Sequence, residues 1–124
     1  MATETNKGKK GKRNMNNTIK VVIKEPGKDF CEAYMLNELK AFQSKVGGYI
    51  EAVPLTNRMI MIVNEEGKIR GLQPNFDLYG TDTVVGTALF CGVDGEEFSD
   101  VPLSLPVIRA MFPDCYSKAG EQNA

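Results

Sequence analysis

Ala41-Phe42-Gln43-Ser44-Lys45-Val46-Gly47-Gly48-Tyr49-Ile50-Glu51-Ala52-Val53-Pro54-Leu55 is where a helical pattern stops at a glycine pair and a strand pattern begins, and its reading decides the fold. Leu39, Phe42 and Val46 recur at i, i+3 and i+7, with Met35 one turn earlier, so one face of a helix ending near Val46 is apolar. Lys40 and Lys45 fall away from that face. Gly47 suits the left-handed position that closes a helix, and Lys45 in the last turn complements the negative end of the helix dipole. From Tyr49 the period changes to two: Tyr49, Glu51 and Val53 face one way, Ile50 and Ala52 the other. Pro54 ends this strand or confines it to a sheet edge.

Upstream, Thr18-Ile19-Lys20-Val21-Val22-Ile23-Lys24 is β-branched and alternating, which predicts a strand. Glu25-Pro26-Gly27-Lys28 predicts a type II turn. Asp29 to Met35 reads as the returning strand of a hairpin, because Asn37 is a good N-cap for the helix that follows; Glu32-Ala33 could equally begin a helix. Downstream, Met59-Ile60-Met61-Ile62-Val63 is apolar on both faces and predicts an interior strand covered on both sides. Asn64-Glu65-Glu66-Gly67-Lys68 is a turn, and Ile69 to Leu72 a short strand. Residues 73–82 read as a loop pinned to the core by its apolar side chains. Thr83 to Val93 reads as one long strand in which Gly86 marks a bulge or a close backbone approach. Asp94-Gly95-Glu96-Glu97 turns the chain, and a short helix is expected from Pro106 to Met111.

The chain of 124 residues with 42% apolar content makes one domain with its own core. There is no run of 18 apolar residues, and the N-terminus is polar, so neither a membrane span nor a secretory signal is read and the expected location is the cytoplasm. Cys31, Cys91 and Cys115 are odd in number and widely spaced, which fits neither a disulfide framework nor a zinc knuckle. Histidine, the commonest general base and metal ligand, is absent from the sequence. Charge is divided unevenly. Residues 1–17 hold five basic side chains against Glu4, a balance of +4, whereas the remaining 107 hold 10 basic and 15 acidic, a balance of −5.

The expected architecture is α+β, a mainly antiparallel sheet of about five strands packed against one main helix, with a short C-terminal helix. Residues 1–17 are expected to form a disordered basic arm, 18–116 the single domain, and 117–124 a flexible tail.

Candidate chemistry is sparse. Glu51 could approach Glu65 or Glu66 across a hairpin, and two carboxylates can serve acid/base work or a divalent cation, although a solvated strand residue and a polar turn explain them as well. Gln43, Asn64 and Asn75 could hydrogen-bond a ligand or could satisfy backbone groups at turns. Tyr49, Glu51 and Glu65, with these amides, are the candidate ligand- or partner-binding residues. Lys7, Lys9, Lys10, Lys12 and Arg13 could contact phosphates, but no aromatic interleaves them for base stacking. The expectation is no catalytic residue, no metal and no cofactor.

Leu39, Gln43, Val46-Gly47-Gly48-Tyr49-Ile50-Glu51-Ala52-Val53, Asn64-Glu65-Glu66-Gly67-Lys68, Asn75 and Val85-Gly86-Thr87-Ala88 together resemble a family known as domain of unknown function 3846, over roughly residues 19–105. The resemblance implies a compact α+β module without established activity, found in bacteria and especially on phages and other mobile elements. Small accessory proteins of such elements often bind and disable host defence machinery. The expected function is therefore a non-catalytic phage or mobile-element accessory protein that binds and antagonises a host factor, a defence component such as a CRISPR nuclease or a nucleotide-signalling system. Its expected partners are a host protein and, through a sheet edge, a second copy of itself. The alternative is a nucleic-acid-binding accessory protein using the basic arm, and a third reading is an enzyme using Glu51 with Glu65 or Glu66.

Overall fold

In the computed structural model, which describes residues 17–80 and 82–113, the β-branched run forms β1 (Thr18–Lys24) and returns as β2 (Cys31–Leu36) in an antiparallel hairpin. Gly27 takes φ +78° at the turn, and the Lys28 N–H donates to the Glu25 carbonyl at 3.1 Å. The basic arm with Lys7, Lys9, Lys10, Lys12 and Arg13, the tail from 117 and Cys115 lie outside the described residues.

α1 (Leu39–Val46) ends at the glycine pair. Gly47 has φ +84°, and the N–H groups of Gly47 and Gly48 both donate to the Gln43 carbonyl, at 2.8 and 3.0 Å, which closes the last turn. Phe42 and Val46 are buried, as the spacing predicts, but Leu39 is 57% exposed because it opens the helix, one turn short of the buried pair. The N-cap is Glu38 rather than Asn37, without a side-chain cap bond. Asn37 is held instead as the rung after β2: its N–H donates to the Asn17 carbonyl at 2.8 Å and its side chain to the Phe98 carbonyl at 3.0 Å.

β3 (Ile50–Pro54) and β4 (Met59–Asn64) form the next hairpin. The main sheet has the order β2-β1-β7-β4-β3, so β3 with Pro54 at its end is an edge and β4 is interior. The two faces of β4 feed two cores. Ile60 and Ile62 join Ile19, Val21, Leu89, Cys91 and the α1 residues Phe42 and Val46, while Met59 and Met61 join Val22, Phe30, Phe76, Phe90, Ile108 and Phe112.

Three expectations are corrected downstream. Residues 73–82 are not a loop: β5 (Pro74–Leu78) and β6 (Asp82–Val85) form a second, two-stranded sheet. The long strand expected over 83–93 is broken at Gly86, with φ +74°, into β6 and β7 (Ala88–Asp94). The positive φ is what calls for glycine at Gly86, and a Cβ there would also stand 2.7 Å from Leu72 Cδ1, so that side chain would have to shift. Residues 69–72 form consecutive turns rather than a strand, with the Arg70 N–H donating to the Glu66 carbonyl and the Leu72 N–H to that of Gly67, both at 2.9 Å. After the turn at Gly95, β8 (Glu97–Ser99) pairs with β7, which brings the main sheet to six strands, in keeping with the expected antiparallel sheet of about five. α2 (Leu105–Met111) carries Pro106 in its first turn as expected. The result is an α+β sheet with α1 on one face and the β5–β6 hairpin and α2 on the other.

Candidate functional site

The helix-to-strand corner is clamped from several sides. Asn64, buried at the end of β4, donates from Nδ2 to the Val46 carbonyl at 3.1 Å and accepts the Glu66 N–H on Oδ1 at 2.7 Å. A Cβ on Gly48 would meet Asn64 Nδ2 at 2.9 Å, so Gly48 is what lets this amide reach the end of α1. Arg70 adds a bond from Nη1 to the Gly47 carbonyl at 3.2 Å and an ion pair to Glu66 at 3.3 Å. Glu66 is thus tied into the clamp, and the Asn64 amide serves the backbone of the corner.

On that corner the register places Ile50 opposite Asn64 and Glu51 opposite Val63, and the Glu65 N–H donates to the Tyr49 carbonyl at 2.8 Å. Tyr49 therefore stands across from Glu65, and Glu51 follows two residues along on the same side. Tyr49 is 66% exposed. Glu51 and Glu65 are exposed, and neither carboxylate makes an ion pair among the described residues. Three of the residues read from the sequence are thus brought together as a ledge.

Beside the ledge lies a groove of about 280 Å³ between β3–β4 and the β5–β6 hairpin. Val53, Met61, Val63, Leu78 and Val84 give it an apolar lining, and Glu51, Lys68 and Asp82 supply its charge. Lys68 and Asp82 form an ion pair that links the turn after β4 to β6. The hydrogen bond from Lys68, helped by the Thr83 N–H at 2.8 Å, holds the Asp82 carboxyl below its ordinary value of 3.8. Lys68 and Asp82 escape a reading of the sequence alone because their meeting depends on the hairpin.

Gln43 and Asn75 stand apart from the ledge. Gln43 is half-buried on α1, which packs on the opposite face of the sheet, and contributes its backbone carbonyl to the glycine turn. Asn75 is buried in β5, donating from Nδ2 to the carbonyls of Lys24 and Gly86, both at 2.8 Å, and accepting from Lys24 Nζ on Oδ1 at 2.9 Å. Lys24 itself is 1% exposed; its ammonium also donates to the Glu25 carbonyl at 2.9 Å and lies 6.0 Å from the Phe30 ring centroid. The one sequence signal for this was a lysine on the same alternation as Val22. Among the described residues no group of three His, Cys, Asp or Glu side chains is placed to hold a metal ion, and no helix is long and apolar enough to cross a membrane.

A small α+β domain with a rigid acidic and aromatic ledge at one sheet edge is the class that this geometry defines. The chain belongs to the family described as Domain of unknown function (DUF3846), whose model matches residues 19–111. No curated protein and no solved structure matches it.

Proposed function

We propose that the protein is a non-catalytic accessory protein that binds a host protein through the Tyr49–Glu51–Glu65 ledge and the adjoining groove, and antagonises it by occupying its working surface. The observation that carries this reading is a pair of carboxylates without ion-pair partners among the described residues, beside an exposed tyrosine and fixed on a corner that Asn64 and Arg70 hold. Such a ledge loses little conformational freedom on binding, so more of its contact energy appears as affinity. Its chemistry suits an arginine- or lysine-bearing surface, with the aliphatic stem of the side chain on the groove lining and the cationic head between Glu51 and Glu65. The balance of −5 outside residues 1–17 would steer such a partner in.

A surface that is basic because it grips nucleic acid or nucleotides fits this description. The partner is accordingly a defence component of that kind, a CRISPR nuclease or a nucleotide-signalling protein, and the mobile-element habit implied by the family resemblance supports the same choice. The test is affinity of the partner recovered from host lysate for the wild type and for Glu51→Lys/Glu65→Lys. The double variant should stay folded, lose binding by more than tenfold and lose the salt dependence of association. Unchanged binding by the folded variant would remove the ledge from the interaction.

A further inference from the structure

At the opposite edge of the sheet no strand pairs with the outer side of β2 among the described residues, and its backbone polarity can be read from the ladder. The bond from the Asn37 N–H to the Asn17 carbonyl makes that pair a hydrogen-bonded rung, so along the register the rungs Ile19–Met35, Val21–Ala33 and Ile23–Cys31 are hydrogen-bonded as well. The alternate residues Glu32, Tyr34 and Leu36 then aim their N–H and C=O groups away from β1. Lys20, which lies opposite Tyr34, confirms the phase: its N–H and carbonyl point away from β2, to Asp100 Oδ1 at 2.9 Å and the Val101 N–H at 2.8 Å. The same three β2 residues are exposed, Tyr34 at 72% and Leu36 at 45%. Edge strands are ordinarily blunted by proline, lysine or a bulge. β3 ends in Pro54, whereas β2 has no proline, lysine or bulge and carries one charge, Glu32.

We infer that β2 is a self-complementary docking edge for a second copy of this chain, pairing antiparallel about a two-fold axis at Tyr34. Only registers that join outward-pointing residues to one another satisfy the open groups. The one centred on Tyr34 joins Tyr34 to Tyr34 and Glu32 to Leu36 twice, satisfying all three donors and all three acceptors on each copy. It also keeps the two Glu32 carboxylates apart, each opposite an apolar side chain, and sets the tyrosines side by side. Registers shifted by two residues leave one of the three outward positions unpaired on each copy. A six-residue strand is ~20 Å long and a sheet ~10 Å thick, so the contact covers on the order of 200–400 Å² per copy, which calls for a reversible, concentration-dependent dimer.

Two measurements on the whole 124-residue chain test this. In a Cys31→Ser/Cys115→Ser background, Tyr34→Cys should form a covalent dimer under mild oxidation, because Cα atoms of a hydrogen-bonded antiparallel pair lie ~5.5 Å apart, within disulfide reach. Glu32→Cys alone should not, but mixed with Leu36→Cys it should form the heterotypic cross-link. Sedimentation equilibrium provides the second readout. Leu36→Glu sets like charges opposite Glu32 at two symmetric places and should weaken the dimer roughly tenfold, whereas Leu36→Lys creates two opposite-charge pairs and should hold or tighten it. A chain that stays monomeric to millimolar concentration overturns the inference. So does cross-linking of Glu32→Cys as fast as Tyr34→Cys, or equal weakening by both Leu36 variants, which would mean a different register or a different class of partner on this edge.

Discussion

Replacing Asn75 by leucine, a side chain of similar size, should remove much of the protein's stability without creating a large cavity. The amide makes three bonds in a buried place: two donations at 2.8 Å to the Lys24 and Gly86 carbonyls and one acceptance at 2.9 Å from Lys24 Nζ. Each orphaned buried group costs about 1–3 kcal/mol, and a group facing a charge costs at the upper end. Local relaxation recovers some of that sum, leaving an expected loss of about 3–5 kcal/mol, a large part of the 5–15 kcal/mol typical of a whole domain. Lys24→Met should cost less, because it removes the cation together with its need for acceptors. The double variant should be less destabilised than the sum, since the ammonium that Asn75 serves is already gone. Urea unfolding followed by circular dichroism at fixed pH reads all three. A loss below about 1 kcal/mol for Asn75→Leu, or strict additivity in the cycle, would show that the buried bonds do not act as a strut.

Gly86→Ala, which combines φ +74° with a 2.7 Å approach to Leu72, should destabilise by more than Gly47→Ala, whose added Cβ meets nothing within 4 Å and whose cost of about 1 kcal/mol is backbone strain alone; thermal melts of the two give the order. Burial pushes the Cys91 thiol up to about 12, so at pH 8 a maleimide should label exposed Cys31 within minutes and leave Cys91 intact until the protein unfolds, as read by mass spectrometry. Glu25, hydrogen-bonded by Lys28, and Asp82, hydrogen-bonded by Lys68, titrate below their ordinary values of 4.5 and 3.8. A depressed carboxyl stabilises the fold above its unfolded value and loses that contribution as pH falls through the folded one. Stability should therefore decline below about pH 4.5, less steeply in Glu25→Gln/Asp82→Asn, as followed by urea midpoints against pH.

What could be read from the sequence was what a segment imposes by itself. The glycine pair ends α1 because a positive φ is needed at Gly47 whatever surrounds it, and Pro54 caps an edge because it cannot continue a ladder. The adjacency of Tyr49, Glu51 and Glu65 followed from two neighbouring strands and a short turn. What could not be read was polar chemistry made affordable only by a distant partner. Asn75 has the composition of a turn residue and Lys24 that of a solvated one, yet each is buried because the other is there, 51 residues away. Without that pair nothing in residues 73–85 distinguishes a packed hairpin from a loop, and without the hairpin there is no groove. Leu39 fits the helical spacing but lies at the first position of an eight-residue helix whose buried side chains are Phe42 and Val46.

The two ends of the sheet are differently equipped, and the difference links the proposals. In the proposed function β3 is the edge that binds through side chains, with Pro54 and the charged corner limiting its backbone pairing, whereas β2 offers backbone and a single charge, Glu32. Two copies joined at β2 form a continuous path of ten strands, five from each, with a ledge at either far end. At about 4.8 Å per strand the ledges stand roughly 43 Å apart before twist is counted. A partner that is itself a dimer, or that presents two basic sites at that spacing, would be held by both ledges, and its dissociation would slow far beyond the strength of either contact. Leu36→Glu, remote from Tyr49, Glu51 and Glu65, should then speed release of a bivalent partner while leaving the affinity for a single site unchanged. Faster release of a monovalent partner would mean instead that β2 belongs to the same contact as the ledge.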